Sequence, residues 1–248
     1  MPWDAGRRQK EGGKPMSDTT TVSFPLRGEW VAPNTPGSKV PSHGTDQLGQ
    51  RYAFDFIQVD WSKGKDHFGR GHAWQYLTIG LATSAAYCWK APVFACLPGV
   101  VVEARDGITE PGWLNPWLSM LGMVRNSLKF AKRLARPDPE NVDLHDFVGN
   151  YVIVKHESCY SFYAHLHPGS VSVKEGDRVE VGHQLGLVGH TGNSSQPHLH
   201  FQLMDNANLM LAQGLACAFA NYELYTEGVW QRVDNGVPAS SDRIRFLG

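Results

Sequence analysis

The sequence predicts a mainly β fold of short antiparallel strands, with inserted loops and one accessory helix. Three observations lead to it. The 26 glycines and 15 prolines among 248 residues supply many turns. Short apolar runs recur between tight glycine punctuation, as in Gly176-Asp-Arg-Val179 and Gly182-His-Gln-Leu185-Gly-Leu-Val-Gly189. Only Asn115 to Ala135 sustains a helical period. With 42% hydrophobic and 19% charged residues, the chain can build one substantial core without a second full domain.

Residues 1–21 are polar, basic and glycine-rich, and read as a disordered tail. They hold no apolar h-region, so no secretory signal is visible. Residues 22–226 are expected to form the β domain, with insertions at 58–90 and 106–147, and residues 227–248 a C-terminal extension. Within the domain, Val22 to Val31 is an extended entry, and Pro33 to Gln50 is a Gly/Pro-rich loop. Arg51-Tyr-Ala-Phe-Asp55-Phe-Ile57 reads as a strand. Period-two alternation puts Tyr52, Phe54 and Phe56 on a core face, with Arg51, Ala53 and Asp55 opposite. A mid-strand carboxylate there needs a partner to offset its desolvation. Further strands are expected at 91–94, 99–105, 149–156 and 160–166, and residues 212–225 should close the core.

Asn115-Pro116 opens the helix, with Asn suited to the N-cap and Pro to the first helical position. Trp117, Leu121, Val124, Leu128 and Ala131 form its apolar stripe, expected to pack over the protein or rim a groove and not to anchor the chain in a membrane, with a membrane-surface or partner-binding helix as the alternative. Arg125, Lys129, Lys132, Arg133 and Arg136 gather toward its C-terminal end, and Pro137 and Pro139 stop it. No apolar run is long enough to span a bilayer. The net charge of −1 gives no strong electrostatic case for nucleic acid or an anionic membrane as a general partner. Cys88, Cys96, Cys159 and Cys217 form no Cys-x-x-Cys pair, which argues against a thiolate zinc site. Cys88 and Cys96, in apolar text, read as buried free thiols.

The chemistry concentrates between Tyr163 and Phe201. His198 and His200 flank Leu199, so both imidazoles face one side of a strand. Such a pair suits one metal ligand beside one acid/base group. Tyr163-Ala-His165-Leu, Gly189-His-Thr-Gly192-Asn-Ser and Pro197-His198-Leu-His200-Phe201 together resemble the lysostaphin-type zinc endopeptidases, which cut peptide bonds in bacterial peptidoglycan. The resemblance extends to Ala91-Pro-Val93, Gly99-Val-Val-Val102 and Gly149-Asn-Tyr-Val152-Ile-Val154. It implies an antiparallel β sandwich of the duplicated hybrid-motif type, and a zinc-dependent hydrolase acting on a peptide in the cell envelope or outside the cell. It also implies one zinc ion with His200 and Asp55 as ligands, and His165 and His198 as the catalytic, non-ligand histidines.

The family pattern places a third ligand, a histidine, four residues before the aspartate. Here that position is Arg51, which stays protonated and cannot ligate. His43, in Ser42-His43-Gly-Thr-Asp46, is the nearest upstream histidine and is expected to replace it. Asp46 is the rival carboxylate, at His-x-x-Asp spacing. Arg51 itself reads either as a substrate contact in the cleft or as one half of a structural ion pair. Two other functions compete with the peptidase: a non-catalytic peptidoglycan-binding or activating module of the same fold, and a biotinyl or lipoyl carrier. The carrier would need a lysine at a hairpin tip, and Lys174 lacks the usual Met-Lys-Met or Asp-Lys-Ala setting.

Overall fold

A computed structural model describes residues 19–64, 67–134 and 142–247. In chain order the strands are β1 (Thr20–Val22), β2 (Gly28–Asn34), β3 (Phe54–Ile57), β4 (Leu81–Ala82), β5 (Pro92–Phe94), β6 (Gly99–Arg105), β7 (Trp113–Leu114), β8 (Asn150–Lys155), β9 (Tyr160–Leu166), β10 (Arg178–Val179), β11 (Gln184–Leu187), β12 (Leu199–Met204), β13 (Gly214–Leu215), β14 (Cys217–Thr226), β15 (Val229–Gly236) and β16 (Ile244–Phe246). The helices are α1 (Ala73–Thr78), α2 (Pro116–Leu134) and α3 (His145–Val148). The fold is mainly β. Twelve of the described strands form one large sheet in the order β1-β14-β16-β2-β3-β12-β9-β8-β6-β10, with β13 and β15 attached to β12 and β14. Its pairs are antiparallel except β1 with β14, which run parallel.

The strand pleat divides the chemistry. On one face Phe54, Phe56, Tyr163, Leu199 and Phe201 pack with Val93, Leu185 and Val188 from the small β5–β11 sheet and its edge. Phe24, Phe54, Phe56 and Phe219 stack edge to face here, with centroids 4.8–5.9 Å apart. The opposite face carries Ile153, Phe162, Ala164 and Met204 in a second apolar cluster. Asp55 and His200 stand on that same side, because their strands register Asp55 against His200 and His200 against Ala164. Burying the aromatic face therefore fixes which side receives the polar groups.

The strand expected over Arg51–Ile57 begins only at Phe54. Residues Gln47–Tyr52 form 3-10 turns, because Leu48 (φ 57) and Gly49 (φ 73) take the left-handed conformation and interrupt any extended run. Of the 1–21 tail, residues 1–18 lie outside the described residues, while Thr20 and Thr21 already lie in β1. Residues 227–247 return into the large sheet: β15 pairs with β14, and β16 bridges β14 to β2.

The two insertions meet each other. β4 from the first pairs with β7 from the second, Leu81 opposite Leu114. Asn115 Oδ1 accepts the Trp117 and Leu118 N–H groups at 3.0 and 3.2 Å, so the expected N-cap forms ahead of Pro116. The helix does rim a groove, but its apolar stripe does not pack inward as the periodicity suggests. Trp117, Leu121, Val124 and Leu128 are all more than half exposed. The helix meets the body through its other side, where Phe130 stacks on Phe147 at 4.8 Å and Arg133 pairs with Asp146 at 2.9 Å.

Candidate metal centre

Asp55 is the hub. Its Oδ2 accepts from Asn34 Nδ2 at 2.7 Å and lies 2.9 Å from His43 Nε2. Its Oδ1 lies 3.0 Å from His200 Nδ1 and 3.5 Å from His198 Nε2. Asn34 reaches this position through a bulge in β2 that sets Asn34 opposite Asp55. Burial alone would push the Asp55 carboxyl up. The three neighbouring imidazoles, His198 first and then His200 and His43, outweigh that and hold it well below the usual carboxylate range.

His43 arrives from the Gly/Pro-rich loop. Ser42 N–H donates to the Arg51 carbonyl at 3.0 Å, and Ser42 Oγ donates to the Gln50 carbonyl at 3.2 Å. The loop is thus stitched to the backbone of the very position where the family pattern has its histidine. Ser42 Oγ also meets His43 Nδ1 at 3.0 Å, which turns Nε2 toward Asp55. Arg51 is not among the residues lining the groove. Its guanidinium pairs with Asp46 at 2.8 Å on the surface, so the rival ligand and the candidate substrate contact occupy each other.

His200 is oriented from behind. Gln202 Nε2 donates to the Leu48 carbonyl at 2.8 Å, which leaves Gln202 Oε1 facing His200 Nε2 at 3.0 Å. The proton therefore sits on Nε2, and Nδ1 points an electron pair at Asp55. A Cβ at Gly49 would lie 2.8 Å from Gln202 Nε2, so this close backbone approach needs glycine as well as its positive φ. His43, Asp55 and His200 bring one donor atom each within 4.8 Å of one another. Two acceptors facing each other, His200 Nδ1 and Asp55 Oδ1, need positive charge between them. A divalent cation supplies it, and two imidazoles with one carboxylate are a zinc donor set.

His165 and His198 stand beside this trio, ring centroids 4.6 Å apart. His165 follows Ala164, and simple alternation would aim it at the opposite core. A β-bulge in β9 against β8 and a left-handed backbone (φ 62) return it to the polar face. His165 Nδ1 donates to the Thr191 carbonyl at 2.8 Å, and His198 Nδ1 donates to the Gln196 carbonyl at 2.8 Å. Burial first, then His198 and His200, hold the His165 imidazole well below its usual range, so it is neutral at neutral pH.

Several contributors carried no sequence signal. Asn34, Ser42 and Gln202 orient the trio, and only their partners in space reveal it. Glu110, from the second insertion, accepts from Trp89 Nε1 (2.6 Å), His167 Nδ1 (2.9 Å) and the His190 N–H (2.7 Å), tying the insertion to the loop before His198. The buried Cys88 thiol donates to the Pro197 carbonyl at 3.1 Å. All four cysteines are free and buried, and burial pushes Cys88 and Cys96 up to about 12.

His190 is buried beside Ser194, and burial followed by the His198 charge lowers its pKa to about 4. The unfolded chain, with His near 6.5, binds more protons between these values. The contribution to stability is therefore complete above about pH 6.5 and is lost as pH falls toward 4. Urea unfolding should show up to about 3 kcal/mol less stability at pH 4 than at pH 7 from this residue. A His190→Gln chain should lose that part of the slope. An unchanged slope would place the acid sensitivity elsewhere.

Residues 140–211 match the family model described as Peptidase family M23. The match contains His165, His198 and His200, whereas His43 and Asp55 lie before it. The chain is 40% identical over 60 residues to peptidoglycan DD-endopeptidase ShyA of Vibrio cholerae, which is 24% of this chain and 14% of that protein. It is 38% identical over 121 residues to an uncharacterized metalloprotease of Buchnera aphidicola, 46% of this chain and 32% of that one. The aligned segments thus span a third or less of these curated relatives. Among solved structures, the lysostaphin catalytic domain of Staphylococcus simulans matches at 18% identity, covering 79% of this chain and 88% of that one, with a TM-score of 0.36.

Proposed function

We propose that this chain, which carries a Peptidase family M23 domain, is a zinc-dependent endopeptidase that cleaves peptide cross-links of bacterial peptidoglycan. One observation carries the reading: a His-Asp-His trio of metal-ligand type shares a groove with two further histidines whose Nδ1 protons are already committed to backbone carbonyls. The names of the aligned relatives supply the substrate class.

His43 Nε2, Asp55 and His200 Nδ1 would hold the zinc ion. Zinc bound there supplies a Lewis acid for the scissile carbonyl and lowers the pKa of water toward ~7. His165, kept neutral by burial, presents Nε2 to the groove and accepts the water proton. His198 stands in the neighbouring position with its Nδ1 proton on the Gln196 carbonyl, and a second proton on its Nε2 would let the imidazolium donate to the developing oxyanion. Asp55 keeps its charge because four side chains surround it, and that charge complements the cation. Asn34 stays hydrogen-bonded to Asp55 Oδ2, leaving Oδ1 for the ion.

The test is hydrolysis of purified peptidoglycan by the chain loaded with about one zinc for its one site. New amino termini should appear, vanish on chelation and return with added zinc. Zinc binding without any release of peptide would favour the non-catalytic binding module.

A further inference from the structure

We propose that the face formed by α2, α1 and β7 docks the protein on an anionic lipid bilayer surface, lying along it and not crossing it. The orientation of α2 is the starting point. Ser119, Gly122, Asn126 and Arg133 fall on the seam toward the body and are partly covered, whereas the i, i+4, i+7, i+11 stripe of Trp117, Leu121, Val124 and Leu128 points to solvent. The helix therefore turns its apolar stripe to water and meets the protein through a mixed seam that also holds Met123 and Phe130, whereas an ordinary surface helix buries its stripe.

The neighbouring insertion extends this face. Trp74, Leu77, Ile79 and Trp113 are each at least half exposed. Trp113 Nε1 donates to the Ile79 carbonyl at 2.6 Å, and Trp117 Nε1 donates to the Leu77 carbonyl at 3.0 Å. The indole N–H groups are satisfied inward while the rings remain outward, as suits residues sitting at a lipid–water boundary. Gly80 permits the arrangement: at φ 87 it brings its backbone so close under the Trp113 ring that any side chain would collide. Exposed apolar side chains gathered from two adjoining segments mark an interaction site.

Charge selects the occupant. α2 contains no acidic residue and four cations, Arg125, Lys129, Lys132 and Arg133. Arg133 is used by Asp146, while Arg125, Lys129 and Lys132 are exposed and make no ion pair with a described residue. They flank the apolar stripe on one side, the pattern of a helix lying in an anionic headgroup layer. A second copy would set the same unpaired cations against each other. Among the described residues no helix is long and apolar enough to cross a membrane. Met123 lines the groove of the candidate metal centre, so docking through α2 would hold that groove beside the bilayer surface.

Co-sedimentation of the full chain with vesicles tests this, and its readout does not depend on peptidase activity. The chain should bind phosphatidylglycerol/phosphatidylcholine vesicles and bind pure phosphatidylcholine weakly. Leu121→Glu with Leu128→Glu, both on the exposed stripe, should lower partitioning at least about tenfold. Lys129→Glu with Lys132→Glu should reduce it to the level seen on phosphatidylcholine. Absence of wild-type binding, or equal binding by the leucine variant, overturns the proposal. So does a wild-type dimer in sedimentation velocity that the leucine variant converts to monomer, since a second copy would then cover the face.

Discussion

Replacing His43 with alanine is expected to weaken zinc retention by more than about 100-fold, beyond the about 10–100-fold that loss of an outer partner of a ligand costs. The expectation rests on placement. His43 Nε2 lies 2.9 Å from Asp55 Oδ2, and its ring meets that of His200 edge-on at a 5.0 Å centroid distance. Ser42→Ala supplies the graded control. It removes the hydroxyl that orients Nδ1 and that also holds the loop to the Gln50 carbonyl, but leaves the imidazole itself, so its loss should fall within that about 10–100-fold range. Arg51→Ala, at the position where the family pattern has its histidine, should leave zinc untouched because its guanidinium is spent on Asp46. Competition with a chromophoric chelator measures all three. Equal affinity in wild type and His43→Ala would remove His43 from the ligand set.

Alanine at His165 or at His198 is expected to act in the opposite way: zinc stays and turnover falls about 10²–10⁴-fold, the usual contribution of a positioned acid or base. Neither residue is in the trio whose donor atoms converge. Each spends Nδ1 on a backbone carbonyl and keeps Nε2 for the groove. Single-turnover hydrolysis with metal content measured on the same samples separates the two functions. If either variant loses zinc as readily as His200→Ala, that histidine is a ligand and its role as a proton carrier is withdrawn.

Much of this arrangement could be read from the linear chain because it follows the pleat of single strands. The Phe54/Phe56 alternation fixes Asp55 on the polar face, and the His-Leu-His spacing does the same for His200. The N-cap of α2 is equally local. What escaped the sequence depends on contacts between distant segments. The β2 bulge that delivers Asn34 and the β9 bulge that turns His165 back both arise from register with a partner strand. The strand expected at Arg51 is displaced by the left-handed pair at Leu48 and Gly49, where Gly49 must pass close to Gln202. The apolar period of α2 reports that a stripe exists. It does not report whether the stripe meets the body or the solvent, and here the Phe130–Phe147 and Arg133–Asp146 contacts on the other side decide it.

The most direct measurement is anomalous diffraction at the zinc edge from crystals of the zinc-loaded chain. One peak per chain is expected, within roughly 2.0–2.2 Å of His43 Nε2, an Asp55 carboxylate oxygen and His200 Nδ1, with His165 and His198 outside ligand distance. A peak bound by His165 or His198 in place of His43, or one centred on Asp46, would contradict that ligand set.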